Sequence, residues 1–262
     1  MRRGSLWPWV WLGLGAVYFF VPLLATAEFS LRMQKGTLSL LAYEKVLQNR
    51  EFISSFLFSL RMALLTILAG VVLIVPTAYW VHLRLPRLRP LIELLTLLPF
   101  VIPVIVLVFG LIRTYSRPPL LMTTTPASTD VLLVAGYLVV SLPYLYRSVD
   151  VGLRAMDVRH LTEAAQSLGA GWGTILLRVI LPNLRTAVLT GALLTVAIVI
   201  GELTLARYLS RPAFGPFLAQ IGQDRAFEPA ALSILSLAMT WAAMGTIYWM
   251  TRGQQGQIGG GH

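Results

Sequence analysis

The sequence predicts an all-α membrane protein with six transmembrane helices. Composition is the first reason: the chain has 262 residues, of which 56% are hydrophobic and only 12% charged, a balance that soluble domains rarely show. The second is the grouping of the apolar residues into six runs of the length that crosses a hydrocarbon core about 30 Å thick. The third is the placing of the cations. The net charge of +10 comes from Arg residues beside apolar runs, not on a soluble face with interleaved aromatics, so it reports topology and no nucleic acid is expected. With no cysteine there is no disulfide, thiolate chemistry or Cys-based metal site. His82, His160 and His262 are scattered without metal-ligand spacing, and no cofactor is expected.

Met1 to Ser5 is short and basic, and Trp7 to Leu24 is the first apolar run. Ala25-Thr26-Ala27 resembles a signal-peptidase site, but the apolar core before it is longer than the 7–15 or so residues of a signal peptide, so a retained span is expected. The second span runs from about Phe56 to Val81, with Arg61 near its start and Pro76 inside. A basic turn with Arg84, Arg87 and Arg89 leads to the third, about Leu91 to Ile112, which contains Pro99 and Pro103. Proline removes a backbone hydrogen bond and bends a helix, and a membrane tolerates the break where neighbours or a water-filled cavity satisfy the freed groups. Val131 to Tyr146, holding Pro143, is the fourth span, Leu184 to Leu203 the fifth and Ala230 to Met250 the sixth. The Gly- and Gln-rich segment 251–262 is expected to be a disordered tail.

Six spans put both termini on one side. With the N-terminus in the cytoplasm, the inner segments hold eleven Arg, whereas the longer outer segments hold nine Lys or Arg offset by six acids. The density of positive charge is higher inside, as the positive-inside rule requires.

The chain is organised around the segment between the fourth and fifth spans, about Asp157 to Pro182. Val158, Leu161, Ala165 and Leu168 recur at helical spacing and predict a short amphipathic helix. Asp157 is placed to cap its start, and Gly169 to end it in the left-handed conformation that glycine adopts without steric cost. A second short turn carries Trp172, Leu176 and Val179, and Pro182 falls near the first turn of the next helix, where its missing N–H costs little.

Glu163-Ala164-Ala165, Gly169 and Val179-Ile180-Leu181-Pro182, at this spacing, resemble the EAA loop of permease subunits of binding-protein-dependent ABC importers, type I (MetI-like). Val179 stands where the family usually has Ile. Pro-Phe-Val-Ile-Pro in the third span is similar to the same family. The resemblance covers about Glu51 to Met250. It implies the six-helix type I permease fold, with a first helix in 1–30, a core over 51–250 and a cytoplasmic coupling loop in 150–182. It implies an inner (plasma) membrane of a bacterium. The implied partners are two copies of a cytoplasmic ATP-binding subunit, a second permease subunit (a heterodimer favoured over a homodimer) and an extracytoplasmic substrate-binding protein, with membrane lipid around the spans. It assigns ATPase coupling to Glu163, Ala164, Ala165, Gly169, Leu161 and Leu168, with Glu163 the charged contact and the two alanines allowing close approach. Coupling then rests on paired loops drawn together as the ATPases close, which rocks the spans between inward- and outward-facing states.

No Walker motif, GxSxG, HExxH or serine–histidine–acid arrangement occurs, so the chain is expected to be neither an ATPase nor another enzyme. The stretch LPNLRTAVLTGALLTVAIVIGELTLARYL resembles the spermidine/putrescine branch, although Leu203 replaces the usual Phe of Gly-Glu-Phe. A polyamine is therefore the favoured substrate, with ferric iron, thiamine or phosphonate as alternatives. A membrane assembly subunit, or a proton-driven secondary transporter using Glu93 or Glu202, is the reading from other classes. Glu202, Arg61, Tyr79 and Pro103 are the candidates for the substrate pathway. The acid Glu202 favours a cation, while Arg207, Arg211 and Arg225 in the outer loop favour an anion.

Overall fold

A computed structural model describes residues 7–34 and 36–252. Arg2, Arg3 and the tail from residue 253 to His262 lie outside the described residues. Every regular element among those described is helical. In order they are α1 (Trp7–Leu31), α2 (Leu41–Gln48), α3 (Arg50–Arg84), α4 (Arg89–Val101), α5 (Val104–Tyr115), α6 (Pro126–Arg154), α7 (Val158–Ser167), α8 (Trp172–Thr174), α9 (Leu181–Asn183), α10 (Arg185–Gly201), α11 (Thr204–Tyr208), α12 (Phe214–Asp224) and α13 (Phe227–Arg252).

The six predicted apolar runs are realised in different ways. By length and composition α1, α3 and α6 each cross a membrane as one helix. The third run is α4 and α5, bent by 98°. Pro99 is accommodated inside α4, and the break falls at Ile102–Pro103. Ile102 is extended (φ −85°, ψ 115°), because the proline ring that follows disfavours the helical region for the residue before it. Pro76 and Pro143 leave α3 and α6 continuous. The fifth run is α10, and a bend of 74° separates it from Trp172–Asn183 before it. α13 supplies the sixth, and its described apolar part is Phe227–Ala242. Thr125 starts α6 five residues earlier than the apolar run suggests, through a capping box in which its hydroxyl accepts from the Ser128 N–H at 3.2 Å.

The chain divides into two compact units. One comprises Met1–Ile53 and Phe217–Gly245, the other Ser54–Pro216 and Thr246–His262. Most of the last predicted span thus groups with the first helix, whereas the sequence reading placed it in the 51–250 core. Within the first unit Phe29 stacks on Phe227 at 4.8 Å, and the Ser30 hydroxyl meets the Tyr43 hydroxyl at 2.7 Å.

The second unit has two apolar clusters. One collects Ile74, Val75 and Tyr79 of α3, Leu145, Val149 and Leu153 of α6, and Val158, Ala165, Ile175, Ile180 and Leu184 of the segment that follows. The other gathers Met62, Val108, Leu133, Tyr137, Val199 and Leu205. Between them α6 and α10 lie in close contact through small residues. A Cβ on Gly152 would stand 2.6 Å from that of Ala187, and one on Gly191 3.3 Å from the Leu145 Cα. Small residues let helix backbones approach in a membrane, where packing replaces the hydrophobic drive.

Candidate coupling site

The segment from Asp157 to Pro182 forms two helical pieces joined by a tight turn. Asp157 Oδ1 accepts from the His160 N–H at 3.0 Å, capping α7. The same carboxylate meets His160 Nδ1. The backbone bond first, and then this contact, hold the exposed Asp157 carboxyl below its usual range. The His160 imidazole is raised, chiefly by its hydrogen bond to Asp157 and then by the carboxylate charge. Gly169 ends the helix at φ +79°, and the Ala170 N–H reaches back to the Ala165 carbonyl at 3.0 Å. This left-handed exit is the conformation a glycine permits.

The faces of α7 separate its predicted residues. Val158, Thr162 and Ala165 are buried, Leu161 is half-buried, and Glu163, Ala164 and Leu168 are exposed. Leu168, at 89% exposure, is a bare leucine on an otherwise polar face. Ala165 departs from the expectation. It belongs to the chain's own core, because spacings of four and three place it on the stripe with Val158 and Thr162. Its small side chain allows α7 to sit close to this unit.

Thr162 ties α7 to α3. Its hydroxyl donates to the Val158 carbonyl at 2.6 Å and so accepts from the Tyr79 hydroxyl at 2.9 Å. Tyr79 is buried in the core. Expected on the substrate pathway, it has its ring packed in the core and its hydroxyl on α7. Trp172 rests on Trp80 at 4.8 Å, with the Arg84 guanidinium 5.7 Å from its ring centre. Residues Ile175–Ile180 then form a π turn before α9. Pro182 explains the wide turn, since its ring would clash with the carbonyl four residues earlier in an α-helix. The Asn183 amide donates to the Val179 carbonyl at 2.7 Å.

The other pathway candidates are dispersed. Pro103 is exposed and starts α5 after the break. Arg61 is exposed on α3, with no ion pair among the described residues. Glu202 is neither tied to an arginine nor free: its carboxylate accepts from the Thr204 N–H at 2.7 Å and the Leu205 N–H at 2.9 Å, capping α11. An acid two residues before a short helix was the legible signal for this role, masked by its position at the end of an apolar run. Arg211 pairs with Asp130 at 2.7 Å and Arg225 with Glu228 at 3.4 Å, which removes two of the three outer cations from the anion argument. Asp150 went unread in the sequence. This carboxylate on α6 is 1% exposed, beside Arg89 and Arg154.

A profile of the family described as "Binding-protein-dependent transport system inner membrane component" matches residues 70–252. The chain belongs to this family. The permease is 32% identical over 200 residues, 71% of its own length and 73% of the relative's, to a probable molybdenum ABC transporter permease protein of Haloferax volcanii. In fold it is similar to a bacterial ABC transporter involved in the import of the acidic polysaccharide alginate. That match has a TM-score of 0.70 and 15% identity, over 95% of this chain and 96% of that one. It is also similar to an amino acid ABC transporter, with a TM-score of 0.57 and 18% identity over 82% and 99%. The permease is thus a multi-pass component of a membrane importer, with the all-helical fold expected, and family membership carries no enzyme activity of its own. None of these relatives is named for a polyamine.

Proposed function

We propose that the permease forms one half of the translocation path of an ATP-driven importer, and that α7 is its dock for a cytoplasmic ATPase. The observation that carries this is the outward face of α7. Glu163, Ala164 and Leu168 stand exposed on a helix whose opposite face is built into the protein. A surface leucine between polar neighbours is what a partner's groove covers, and the adjacent carboxylate supplies a directional contact. The partners under this reading are two ATP-binding subunits, a second permease subunit and a substrate-binding protein. The protein similar at 0.65 TM-score, over 93% of this chain, is an alginate transporter in complex with its periplasmic protein. The loop lies in the cytoplasm, which places the N-terminus there as well. Co-purification of a P-loop ATPase with the detergent-solubilised permease tests the reading, and Leu168→Lys is expected to abolish it. Full co-purification of that variant would overturn it.

The substrate we propose is a small oxyanion of the molybdate class. The 32% identical relative named for molybdenum supports it. So does the local chemistry: Glu202, which argued for a cation, is committed to the backbone of α11, while Arg61 presents a cation on a spanning helix with no ion pair among the described residues. Intramembrane cations of that kind usually face a cavity or pathway. Glu93 is likewise held by arginines, which leaves a proton-driven secondary transporter no free acid of those two. Uptake into proteoliposomes of the assembled complex decides between substrates. Molybdate uptake that spermidine does not compete is expected, and spermidine uptake without molybdate uptake would reverse the assignment.

A further inference from the structure

A closed ring of charge lies where α6 leads into the coupling segment. Arg89 reaches Asp150 at 3.1 Å and Glu93 at 3.2 Å, and Arg154 reaches both acids at 2.7 Å. Each guanidinium therefore bridges both carboxylates. His82 Nε2 lies 3.3 Å from Asp150 and Arg147 3.9 Å from it. Asp150 is 1% exposed, whereas the side chains of Arg154 and Glu93 are 44% and 37% exposed. The ring thus has a fixed buried centre and a rim that meets water. A cavity of about 590 Å³, lined by His82, Arg89, Arg154, Asp157 and Arg159 among others, opens beside it and gives the rim side chains room to move.

Position adds meaning to the geometry. Arg154 is the last residue of α6, three before the cap of α7. Arg89 and Glu93 occupy the first turns of α4, the near arm of the span bent by 98°. Stability alone is a weak reason for such a ring. Desolvating buried charges offsets most of their attraction, and well-packed apolar residues of similar volume often serve equally well. Bridging makes the arrangement all-or-none, since an arginine that leaves one carboxylate loses its geometry on the other. Packed elements with two discrete arrangements are the parts through which conformational changes travel.

We propose that Arg89, Glu93, Asp150 and Arg154 form a two-state latch joining the coupling segment to the bent third span, with Asp150 the positioning residue that holds it shut. The latch opens as the ATPases move α7, freeing α4 to swing about the Ile102–Pro103 break. The proposal rests on α7 as the ATPase dock.

The absence of cysteine allows a direct test on the complex of permease, ATPase and binding protein in proteoliposomes. Glu93→Cys with Arg154→Cys, bridged by a reducible bis-methanethiosulfonate reagent, fixes the latch. ATP hydrolysis and its stimulation by the binding protein are read before and after bridging, so the result does not depend on the substrate. Stimulation should fall at least tenfold on bridging, basal hydrolysis should stay within about twofold, and reduction should restore both. Unchanged stimulation in the bridged complex would overturn the latch, because a ring that only stabilises tolerates being fixed. If the double-cysteine complex does not assemble, Glu93→Gln decides, since it removes one rim charge and keeps its size. Half-maximal stimulation at an at least threefold lower concentration of binding protein supports the latch, because the weakened ring opens more readily, and a wild-type or higher half-maximal concentration rejects it. Failure of the docking reading appears elsewhere, as full ATPase co-purification with Leu168→Lys.

Discussion

At the residue scale, α7 sorts its side chains by face. Glu163→Arg leaves the fold of α7 intact, since Glu163 is exposed, but sets a wrong charge against the partner. Mismatched charge at an interface costs on the order of 2–5 kcal/mol. Co-purification of the ATPase is expected to fall at least tenfold while the spans still insert. Gly169 separates space from backbone strain. Nothing lies within 4 Å of a Cβ built there, yet φ is +79°. Gly169→Val is therefore expected to destabilise by about 1–2 kcal/mol through the left-handed conformation alone, and Gly169→Asn, which tolerates that region, to retain most of the coupling. Thermal unfolding of the purified complex measures both.

Asp157 and His160 carry a pH dependence. The imidazole is raised above its ordinary value of 6.5 by Asp157. A raised folded-state value means that the charged pair stabilises the start of α7 fully below about 6.5 and that this contribution is lost as pH rises through the raised value. ATPase affinity of the wild type is expected to decline over that interval above 6.5, and His160→Gln to remove the decline. An identical pH profile in both proteins would show that the pair does not act on docking. Glu202→Ala tests the last residue-scale assignment. As a cap its loss costs about 1 kcal/mol and lowers the unfolding temperature, while Glu202→Gln, which keeps an accepting oxygen, is expected to transport at close to the wild-type rate.

At the scale of elements, the contact of α6 with α10 sets how the segment 157–182 is carried. Gly152 and Ala187 bring the two helices together immediately before and after that segment. Gly152→Leu is expected to separate them and destabilise the complex by about 1–3 kcal/mol, the usual cost of overpacking. Tyr79→Phe removes the donor to Thr162 and no volume, so its expected cost is nearer 1 kcal/mol. It should loosen α7 without unfolding the unit, which hydrogen exchange of the α7 amides reads directly. Protection of α7 unchanged in Tyr79→Phe would remove this tie from the account.

At the scale of the whole molecule, orientation is open to labelling, because the chain has no cysteine of its own. Single cysteines at the exposed positions Arg117 and Arg207 are expected to react with a membrane-impermeant thiol reagent from outside, and one at Gly171 only in inverted vesicles. Ala213, between α11 and α12, is 1% exposed and unsuited to the purpose. Labelling of Gly171 from outside would reverse the topology and remove α7 from the ATPase side.

Local chemistry made much of this protein legible in the sequence. Apolar runs of span length follow from hydropathy, the cap at Asp157 from its place before an apolar stripe, and the left-handed exit at Gly169 from the absence of a side chain. The break near Pro103 follows from a ring that excludes the helical region of its neighbour. Each is decided within a few residues of chain. What the tertiary structure alone decided involves partners far apart in sequence. Thr162 meets Tyr79 across 83 positions and Arg89 meets Asp150 across 61. Ala165 turned inward because α3 and the π turn enclose that stripe, and Asp150 gained its place because three arginines and the His82 ring, from three helices, converge on it. Hydropathy weighs each side chain against solvent and carries no information on which distant side chain replaces that solvent. A buried carboxylate therefore reads in the sequence as one more acid, and only the packing of α3, α4 and α6 around it makes it a centre.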